Sequence, residues 1–401
     1  MSSLPPASDE RAAVLDPAVR RRGLLFVGLA VGSVGFAMAL QMGLNANFLA
    51  DVIGVSGFEL GVLEAVRESC GILALGILAL LAGVPEPLVG VAVLALFGLG
   101  LGSYCFVPSY GWVIAASLVW SQGLHVWMPL PKSMALSLAE RGREGFRLGQ
   151  VRASRSVGYA VGIAVALGLT LLGVRIRPLF LLAGGAGLAG AWACLGVPRK
   201  IKTPGPRLVF RRRYGLYYIL SFLEGWRKQI FVCFAGFLLV RVYGADVRTL
   251  LLLHGVVQVV QYFAAPWVGR LIDRVGERRV LVFYFASLAA FFVGYALIRN
   301  RSVLFVLFVV DNSYFVFATA LTTFVGRVAP PEEYTPTLSM GVACNHVAAV
   351  AMPLVGGLLW RTLGYQWAFL VGAAAAAASV VAASRVPPRP AHGRGDGGAG
   401  G

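Results

Sequence analysis

Charged residues are scarce in this sequence of 401 residues. They make up 13% of the chain, whereas hydrophobic residues make up 58%; an average soluble domain has about 25% charged residues. Acids are the scarcer sign, with 18 Asp and Glu against 35 Lys and Arg and a formal net charge of +17. A composition this apolar excludes an ordinary soluble domain and indicates an integral membrane protein.

Several signals of chemistry are also missing. The five cysteines show no metal-binding spacing, and their odd number argues against a disulfide framework. There is no phosphate-binding loop and no Ser/His/Asp or Cys/His arrangement, so we expect neither an ATP-driven pump nor an enzyme. His125, His254 and His346 lie too far apart in the sequence to indicate a metal site. We therefore predict no metal and no cofactor.

What the chain does have is a series of apolar runs near the 20 residues that a membrane-spanning helix needs. Arg20 to Arg22 precede the first run, which is longer than the apolar region of a signal peptide and is therefore predicted to be retained. The pattern indicates an all-α integral membrane protein with twelve transmembrane helices. The predicted spans are 23–47, 58–82, 88–108, 111–137, 148–173, 178–196, 214–240, 248–268, 280–298, 303–326, 336–359 and 366–384.

The positive charge is distributed unevenly between the two sides of these spans. One side carries most of the Lys and Arg, spread over several loops rather than gathered in one basic domain, which predicts cytoplasmic loops and no nucleic-acid partner. We expect both termini to be cytoplasmic, in the cytoplasmic (inner) membrane. The other side holds only Arg175, Arg177, Arg241, Arg248, Arg299, Arg301 and Arg361.

The most informative stretch is a charged turn between the apolar runs 248–268 and 280–298. It reads Gly269-Arg270-Leu271-Ile272-Asp273-Arg274-Val275-Gly276-Glu277-Arg278-Arg279. This stretch resembles the cytoplasmic signature of the major facilitator superfamily, G-x-L-x-D-R-x-G-R/E-R-R. The match consists of Gly269, Leu271, Asp273, Arg274, Gly276, Arg278 and Arg279. The resemblance implies a secondary transporter that works by alternating access, with this motif at a gate.

An eroded copy of the turn lies in the first half of the chain. Gly76 to Gly83 aligns with Gly269 to Gly276, and Leu80 stands in place of the acid. Two copies predict two pseudo-symmetric six-helix halves. The expected division is a cytoplasmic tail at 1–22, a six-helix bundle at 23–196, a basic cytoplasmic linker at 197–213, a second six-helix bundle at 214–384 and a disordered cytoplasmic tail at 385–401.

Ionisable residues inside the apolar runs follow a period of three. Runs three, six, nine and twelve hold none in their cores. Because charge in a membrane is costly, this predicts that every third helix faces lipid while the others line a polar interior. The candidate cavity residues are Asn45, Glu64, Arg67, Glu68, Gln122, His125, Arg152, Arg155, Glu224, Arg227, Lys228, Gln258, Gln261, Asp311, Asn312, Asn345 and His346.

Two interpretations of these charges remain open at this point. Glu64 with Arg67, and Glu224 with Arg227, have the spacing of structural pairs on one helix face. Asp311 is a lone acid in mid-span, either a proton carrier or the partner of a base on another helix. The candidates for proton coupling are Glu68, Glu224 and Asp311.

The balance of candidate charges gives an expectation about the substrate. Six bases against four acids leave a surplus of 6 − 4 = 2 bases, which favours an anionic or zwitterionic organic solute. The bases are Arg67, Lys132, Arg152, Arg155, Arg227 and Lys228, and the acids are Glu64, Glu68, Glu224 and Asp311. We predict a monomeric secondary active transporter whose partners are a small solute, the lipid bilayer and, as a candidate coupling ion, the proton. The alternative is a transporter-like membrane sensor or a lipid-handling scaffold that carries no soluble solute.

Overall fold

The computed structural model describes residues 16–140, 143–201 and 210–388. Most of the predicted tails and the middle of the predicted linker therefore fall outside the described residues, as does Arg141. The described chain is helical, and it contains no strand within these ranges. Its helices form twelve segments, which we number α1 to α12.

The first half of the chain supplies six segments. Their bounds are Pro17–Asn47 with a π-helical continuation at Phe48–Ile53 (α1), Gly57–Leu80 (α2), Glu86–Ser103 (α3), Tyr110–Trp127 followed by Leu130–Ser137 (α4), Glu144–Leu171 (α5) and Ile176–Cys194 (α6). The break in α4 lies at Pro129, because the proline at position 131 has no N–H to continue the helical ladder.

The second half repeats the series. Its bounds are Gly215–Ile230, a π-helical turn at Phe231–Ala235 and Gly236–Arg241 (α7), Val247–Val275 (α8), Glu277–Leu297 (α9), Arg301–Ser313, a 3-10 turn at Tyr314–Ala318 and Thr319–Val328 (α10), Pro331–Leu363 (α11) and Tyr365–Ala383 (α12). A π-helical segment thus ends the first helix of the first half and interrupts the first helix of the second half. Such segments are rare in helices and frequent at functional sites.

Helices α2 and α8 begin with side-chain caps. At the start of α2, the Ser56 hydroxyl accepts from the Glu59 N–H (3.3 Å), and the Glu59 carboxylate accepts from the Ser56 N–H (2.8 Å). At the start of α8, Asp246 accepts from the Thr249 N–H at 2.9 Å. Each cap satisfies donors that the first helical turn leaves unpaired, so both starting points are fixed by local sequence.

Ten of the twelve segments are long and apolar enough to cross a membrane. The two that fall short of this criterion are α2 and α7. These are the helices with the densest internal charge, Glu64, Arg67 and Glu68 on α2 and Glu224, Arg227 and Lys228 on α7. Their charged residues, most of which are buried inside the bundle, therefore set these two helices apart from the other ten.

The segments assemble into two halves, α1–α6 and α7–α12. Helix α2 packs against α11, and α5 packs against α8, so these pairs join the halves. Helices α3, α6, α9 and α12 pack mainly on helices of their own half. The prediction of an all-α membrane fold is confirmed, whereas the placement of every third helix against lipid stays a prediction.

The halves touch where α1 ends and α2 begins, an end that we call the closed end. There Asn47 donates to the Ala245 carbonyl across the two halves (2.9 Å), and the Arg248 guanidinium donates to the Thr170 carbonyl (2.8 Å). Gly57 at the start of α2 lies against the Trp360 ring of α11. By the charge asymmetry of the sequence, this is the predicted external end.

Candidate functional site

Helix α2 presents a charged face toward the centre of the molecule. Glu64 and Arg67 form an ion pair three residues apart, and Arg67 Nη2 also lies 3.8 Å from Glu68 Oε1. The Arg67 guanidinium sits over the Trp120 ring of α4, 5.3 Å from its centroid. Arg67 thus contacts two carboxylates and the face of an aromatic ring. The pairing of Glu64 with Arg67 that their spacing predicts is present, and Glu68 also takes part in it.

Glu68 connects this face to the other half of the molecule. Its Oε2 lies 3.3 Å from His346 Nδ1 on α11. The His346 ring lies 5.2 Å, between centroids, from the His125 ring of α4. Residues that are 278 positions apart, by 346 − 68, are therefore neighbours. The structure brings together two of the three histidines that their sequence positions keep apart.

The charged cluster of α7 is built differently. Arg227 is fully enclosed; its Nη2 donates to Glu224 Oε1 (2.7 Å) and to the Tyr284 hydroxyl (2.8 Å). Its Nη1 lies 3.7 Å from Asp311 Oδ1, and its guanidinium is 4.4 Å from the Phe315 ring centroid. Of the two interpretations of Asp311, the geometry favours the partner of a base: Asp311 faces Arg227 inside one half.

Two cavities adjoin between the halves. The smaller, of about 190 Å³, lies among α1, α2, α7, α8 and α10, and the larger, of about 420 Å³, among α1, α2, α4, α7, α10 and α11. Arg67 lines both and therefore stands between them. The predicted residues that line one or both cavities are Asn45, Glu64, Arg67, Glu68, His125, Glu224, Lys228, Asn312, Asn345 and His346.

The other predicted cavity residues lie elsewhere. Arg227 and Asp311 are sealed in the α7 cluster, and Gln258 is half-buried on α8. The Gln122 amide donates to the Cys70 carbonyl (3.4 Å) and the Gln261 amide to the Asn312 carbonyl (2.8 Å), so both hold helices together. The three bases that are exposed and line neither cavity are Lys132, Arg152 and Arg155.

Two further buried amides add to the polar lining. Gln41 on α1 and Gln229 on α7 line the larger cavity and are almost completely buried. Neither side chain finds a hydrogen-bond partner in the described part of the chain. They occupy the equivalent first helices of the two halves. Both stand out in the sequence as neutral polar residues within membrane-length apolar runs.

The motif turn has the geometry that its glycines predict. Gly276 separates α8 from α9 at φ +82°, and Gly83, its counterpart in the eroded copy, has φ +84°. Asp273, Arg274, Arg278 and Arg279 are exposed, and a side chain at Gly269 would meet open space. The buried acid of the motif is Glu277, whose Oε2 lies 3.2 Å from Arg327 Nε on α10. Sequence reasoning assigned no role to either residue of this pair.

A further cavity of about 1440 Å³ lies outside the space between the halves. It is a groove on the outside of the first half, between α1, α5 and α6. Its walls are mostly apolar, and one end carries Arg20, Arg21, Arg143 and Arg147 together with Glu140. Because it lies away from the central charges, size alone does not make it the solute site.

The sequence of the second half is similar to one known family. The family model of the Major Facilitator Superfamily matches residues 217–400. This match covers a little under half of the chain.

Solved transporter structures share the fold of both halves. A mutant form of the nucleoside transporter NupG aligns at a TM-score of 0.75 with 13% identity, covering 90% of this chain and 98% of that one. A D-xylose–proton symporter aligns at 0.71 with 13% identity, covering 92% and 98%. A bacterial homologue of the human lysosomal transporter Spinster, inward-facing and occupied, aligns at 0.70 with 13% identity, covering 93% and 98%. No curated protein sequence matches the chain.

Proposed function

We propose that this transporter moves a small zwitterionic organic solute across the cytoplasmic membrane by alternating access. The observation that carries the proposal is the pair of central cavities, which present carboxylates, cations and two unsatisfied amides between the halves. Buried polar groups without partners are costly, and a polar solute would supply those partners. A purely apolar solute would leave them unpaired.

The charges that line the cavities favour a zwitterion over an anion. Glu64, Glu68 and Glu224 are three acids, and Arg67 and Lys228 are two bases. The surplus of bases counted from the sequence is absent here, because it depended on bases that line neither cavity, namely Lys132, Arg152, Arg155 and Arg227. A site with both signs in near balance matches a solute that carries both signs.

Lys228 and Glu224 are the proposed contacts for the two ends of the solute. Lys228 Nζ lies 3.4 Å from the Asn345 amide oxygen, and no carboxylate of the described residues is within 4.0 Å of it. Its charge is available for a substrate carboxylate. One turn earlier on α7, Glu224 Oε2 is buried without a hydrogen-bond partner among the described residues, although Oε1 accepts from Arg227. This oxygen would accept a hydrogen bond from a substrate ammonium group.

Proton coupling is part of the proposal, with Glu68 as the carrier. Of the three sequence candidates, Asp311 is held beside Arg227, and Glu224 is assigned to the solute. Glu68 lines the larger cavity and contacts His346 of the other half. Protonation of Glu68 would therefore change a contact between the halves. A D-xylose–proton symporter is among the proteins with this fold. Glu68→Gln should abolish accumulation against a gradient and preserve exchange; unchanged accumulation would remove Glu68 from coupling.

The orientation of the structure follows from its closed end. If both termini are cytoplasmic, the contacts of Asn47 with Ala245 and of Arg248 with Thr170 close the external side. The arrangement is then inward-facing, and transport requires these contacts to open. A reporter fused at Ala245 should read external, and a cytoplasmic signal there would reverse the assignment.

A thermal-shift screen of the detergent-purified protein tests the substrate class. The panel contains zwitterionic, anionic and cationic solutes matched in size, because a ligand raises the unfolding temperature by mass action. Zwitterions should stabilise saturably, and Lys228→Gln should weaken their binding about tenfold or more. The matched control is Lys132→Gln, an exposed lysine outside both cavities. Preference for anions or cations, or equal loss in both variants, would contradict the assignment.

One observation favours a second candidate function, the handling of lipid. The groove between α1, α5 and α6 has apolar walls long enough for an acyl chain and a cationic end formed by Arg20, Arg21, Arg143 and Arg147. Basic pockets between membrane helices suit anionic headgroups. An anionic phospholipid that co-purifies with the wild type and is lost in Arg21→Gln/Arg143→Gln would support this function. A solute transporter should keep its solute binding in that variant.

A further inference from the structure

Three side chains with metal-binding atoms converge at the centre of the molecule. One ligand atom from each of Glu68, His125 and His346 lies within 4.8 Å of the others. They come from α2, α4 and α11, so the first half supplies two ligands and the second half one. All three line the larger cavity, which gives an ion and a water molecule access to them.

The hydrogen bonds around the two imidazoles leave nitrogen lone pairs free. His125 Nδ1 lies 2.8 Å from the Ser121 carbonyl, which only accepts, so Nδ1 carries the proton. The lone pair of a neutral ring is then on Nε2, and this backbone bond fixes the ring orientation as outer-shell contacts do for metal-bound histidines. His346 is buried, and its Nδ1 has no hydrogen-bond partner in the described part of the chain, although Glu68 lies 3.3 Å away.

We infer that Glu68, His125 and His346 bind a divalent transition-metal ion, with Zn²⁺ as the representative, and that this ion bridges the two halves. Two imidazoles and a carboxylate are a donor set suited to Zn²⁺, and three protein ligands leave a fourth position for water. Because His346 belongs to α11 and the other ligands to α2 and α4, a bound ion would tie the halves together. The inference does not depend on which solute is carried.

Nearby positive charges set the expected strength of the site. Arg67 Nη2 lies 3.8 Å from Glu68 Oε1, and Lys228 lines the same cavity. Both positive charges would repel a divalent cation, whereas the carboxylates of Glu64 and Glu224 would attract it. We therefore expect weaker binding than at a closed structural zinc site with four ligands.

Zinc titration of the full-length protein tests the inference. Isothermal calorimetry on protein in detergent, with any histidine tag removed, should give one Zn²⁺ per chain. His346→Ala, His125→Ala and Glu68→Gln should each weaken binding tenfold or more. His254→Ala is the matched control, since His254 is a buried histidine that lines the other cavity. No zinc binding by the wild type, or equal losses in the control and the ligand variants, would overturn the site.

A second variant preserves the test if a ligand substitution impairs folding. Gly71 lies against the His346 ring, and a Cβ added there would come within 2.8 Å of His346 Cγ and closer still to other ring atoms. Gly71→Ala therefore displaces the imidazole while keeping all three ligands. It should lower zinc affinity and remove the zinc-dependent rise in unfolding temperature seen in the wild type. A full zinc response in Gly71→Ala would show that His346 is not a ligand.

Discussion

The charged clusters of α2 and α7 have the same sequence spacing and different surroundings. Each places a glutamate three residues before an arginine. On α2, Arg67 stands between two cavities and its neighbour Glu68 reaches His346 in the other half. On α7, Arg227 is fully enclosed among Glu224, Tyr284 and Asp311, all within its own half.

The difference teaches that burial, rather than spacing, separates a structural pair from a functional one. The Arg227 network holds α7, α9 and α10 together, and its guanidinium is completely buried and lines neither cavity. The Arg67 network lines the two central cavities and includes the contact of Glu68 with His346, which joins the two halves. We therefore assign stability to Arg227 and Asp311 and solute contact to the Arg67 network, while Glu224 pairs with Arg227 and also lines the larger cavity.

The largest expected effect comes from removing the enclosed arginine. Arg227→Gln leaves Glu224 and Asp311 buried without their base, which should cost about 3–5 kcal/mol of folding free energy. Thermal unfolding in detergent should show a large fall in unfolding temperature or a loss of monodisperse protein. The triple variant Arg227→Met/Glu224→Gln/Asp311→Asn should recover much of this loss.

Arg67→Gln is the matched comparison on α2. Water in the two cavities can solvate Glu64 and Glu68, so this variant should lose solute binding with a smaller fall in unfolding temperature. If both arginine variants lost the same stability, the distinction between the two clusters would be wrong.

The turns that follow α2 and α8 should respond alike, because the halves share this geometry. Gly276→Ala and Gly83→Ala each place a side chain at a φ above +80°, where a residue other than glycine costs about 1–3 kcal/mol. Unfolding temperatures measured side by side provide the check. Gly269→Ala is the control, since its φ is not positive and its surroundings are open. If Gly83→Ala left the unfolding temperature unchanged, the turn in the first half would not require a glycine at this position.

The acid beside that turn should matter in the second half alone. Glu277 pairs with Arg327 there, whereas Val84 occupies the aligned position of the first half. Glu277→Gln keeps a hydrogen-bonding group but loses the charge, so we expect about 1 kcal/mol of destabilisation. The measurement is again thermal unfolding, with Val84→Ala as the counterpart. If Glu277→Gln left the unfolding temperature unchanged, the pair of Glu277 and Arg327 would not contribute to stability.

The smallest effects are expected at two ion pairs near the helix starts of α5 and α11. Hydrogen bonds from Arg147 lower the pKa of Glu140 from 4.5 to about 2, and the Tyr214 hydroxyl and Arg213 lower the pKa of Glu333. A lowered pKa stabilises the folded state above the ordinary value, and this stability is lost as pH falls through the lowered one. Glu140→Gln and Glu333→Gln should therefore differ slightly from wild type at pH 7 and converge with it on acidification. A difference that persists at acidic pH would mean that charge is not the cause.

The sequence was sufficient for the fold and for interactions within one helix. Apolar run length predicts the segments, the period of three predicts their arrangement, and the spacing of Glu64 and Arg67 predicts their pairing. Contacts between distant segments could not be predicted, because they depend on how the helices pack. Asp311 meets Arg227, and Glu68 meets His346, only once the bundle is assembled. Arg152 was misplaced for the same reason, since hydropathy does not tell which face of α5 lines a cavity.

Solute uptake into proteoliposomes tests the central claim most directly, namely that the solute site lies between the halves at the α2 and α7 clusters. The labelled solute is the best stabilising zwitterion of the thermal-shift panel, and wild type is compared with Arg67→Gln, Lys228→Gln and the exposed control Lys132→Gln. We predict saturable uptake by the wild type and the control and its loss in the two cavity variants. Wild-type uptake rates in both folded cavity variants would contradict the account.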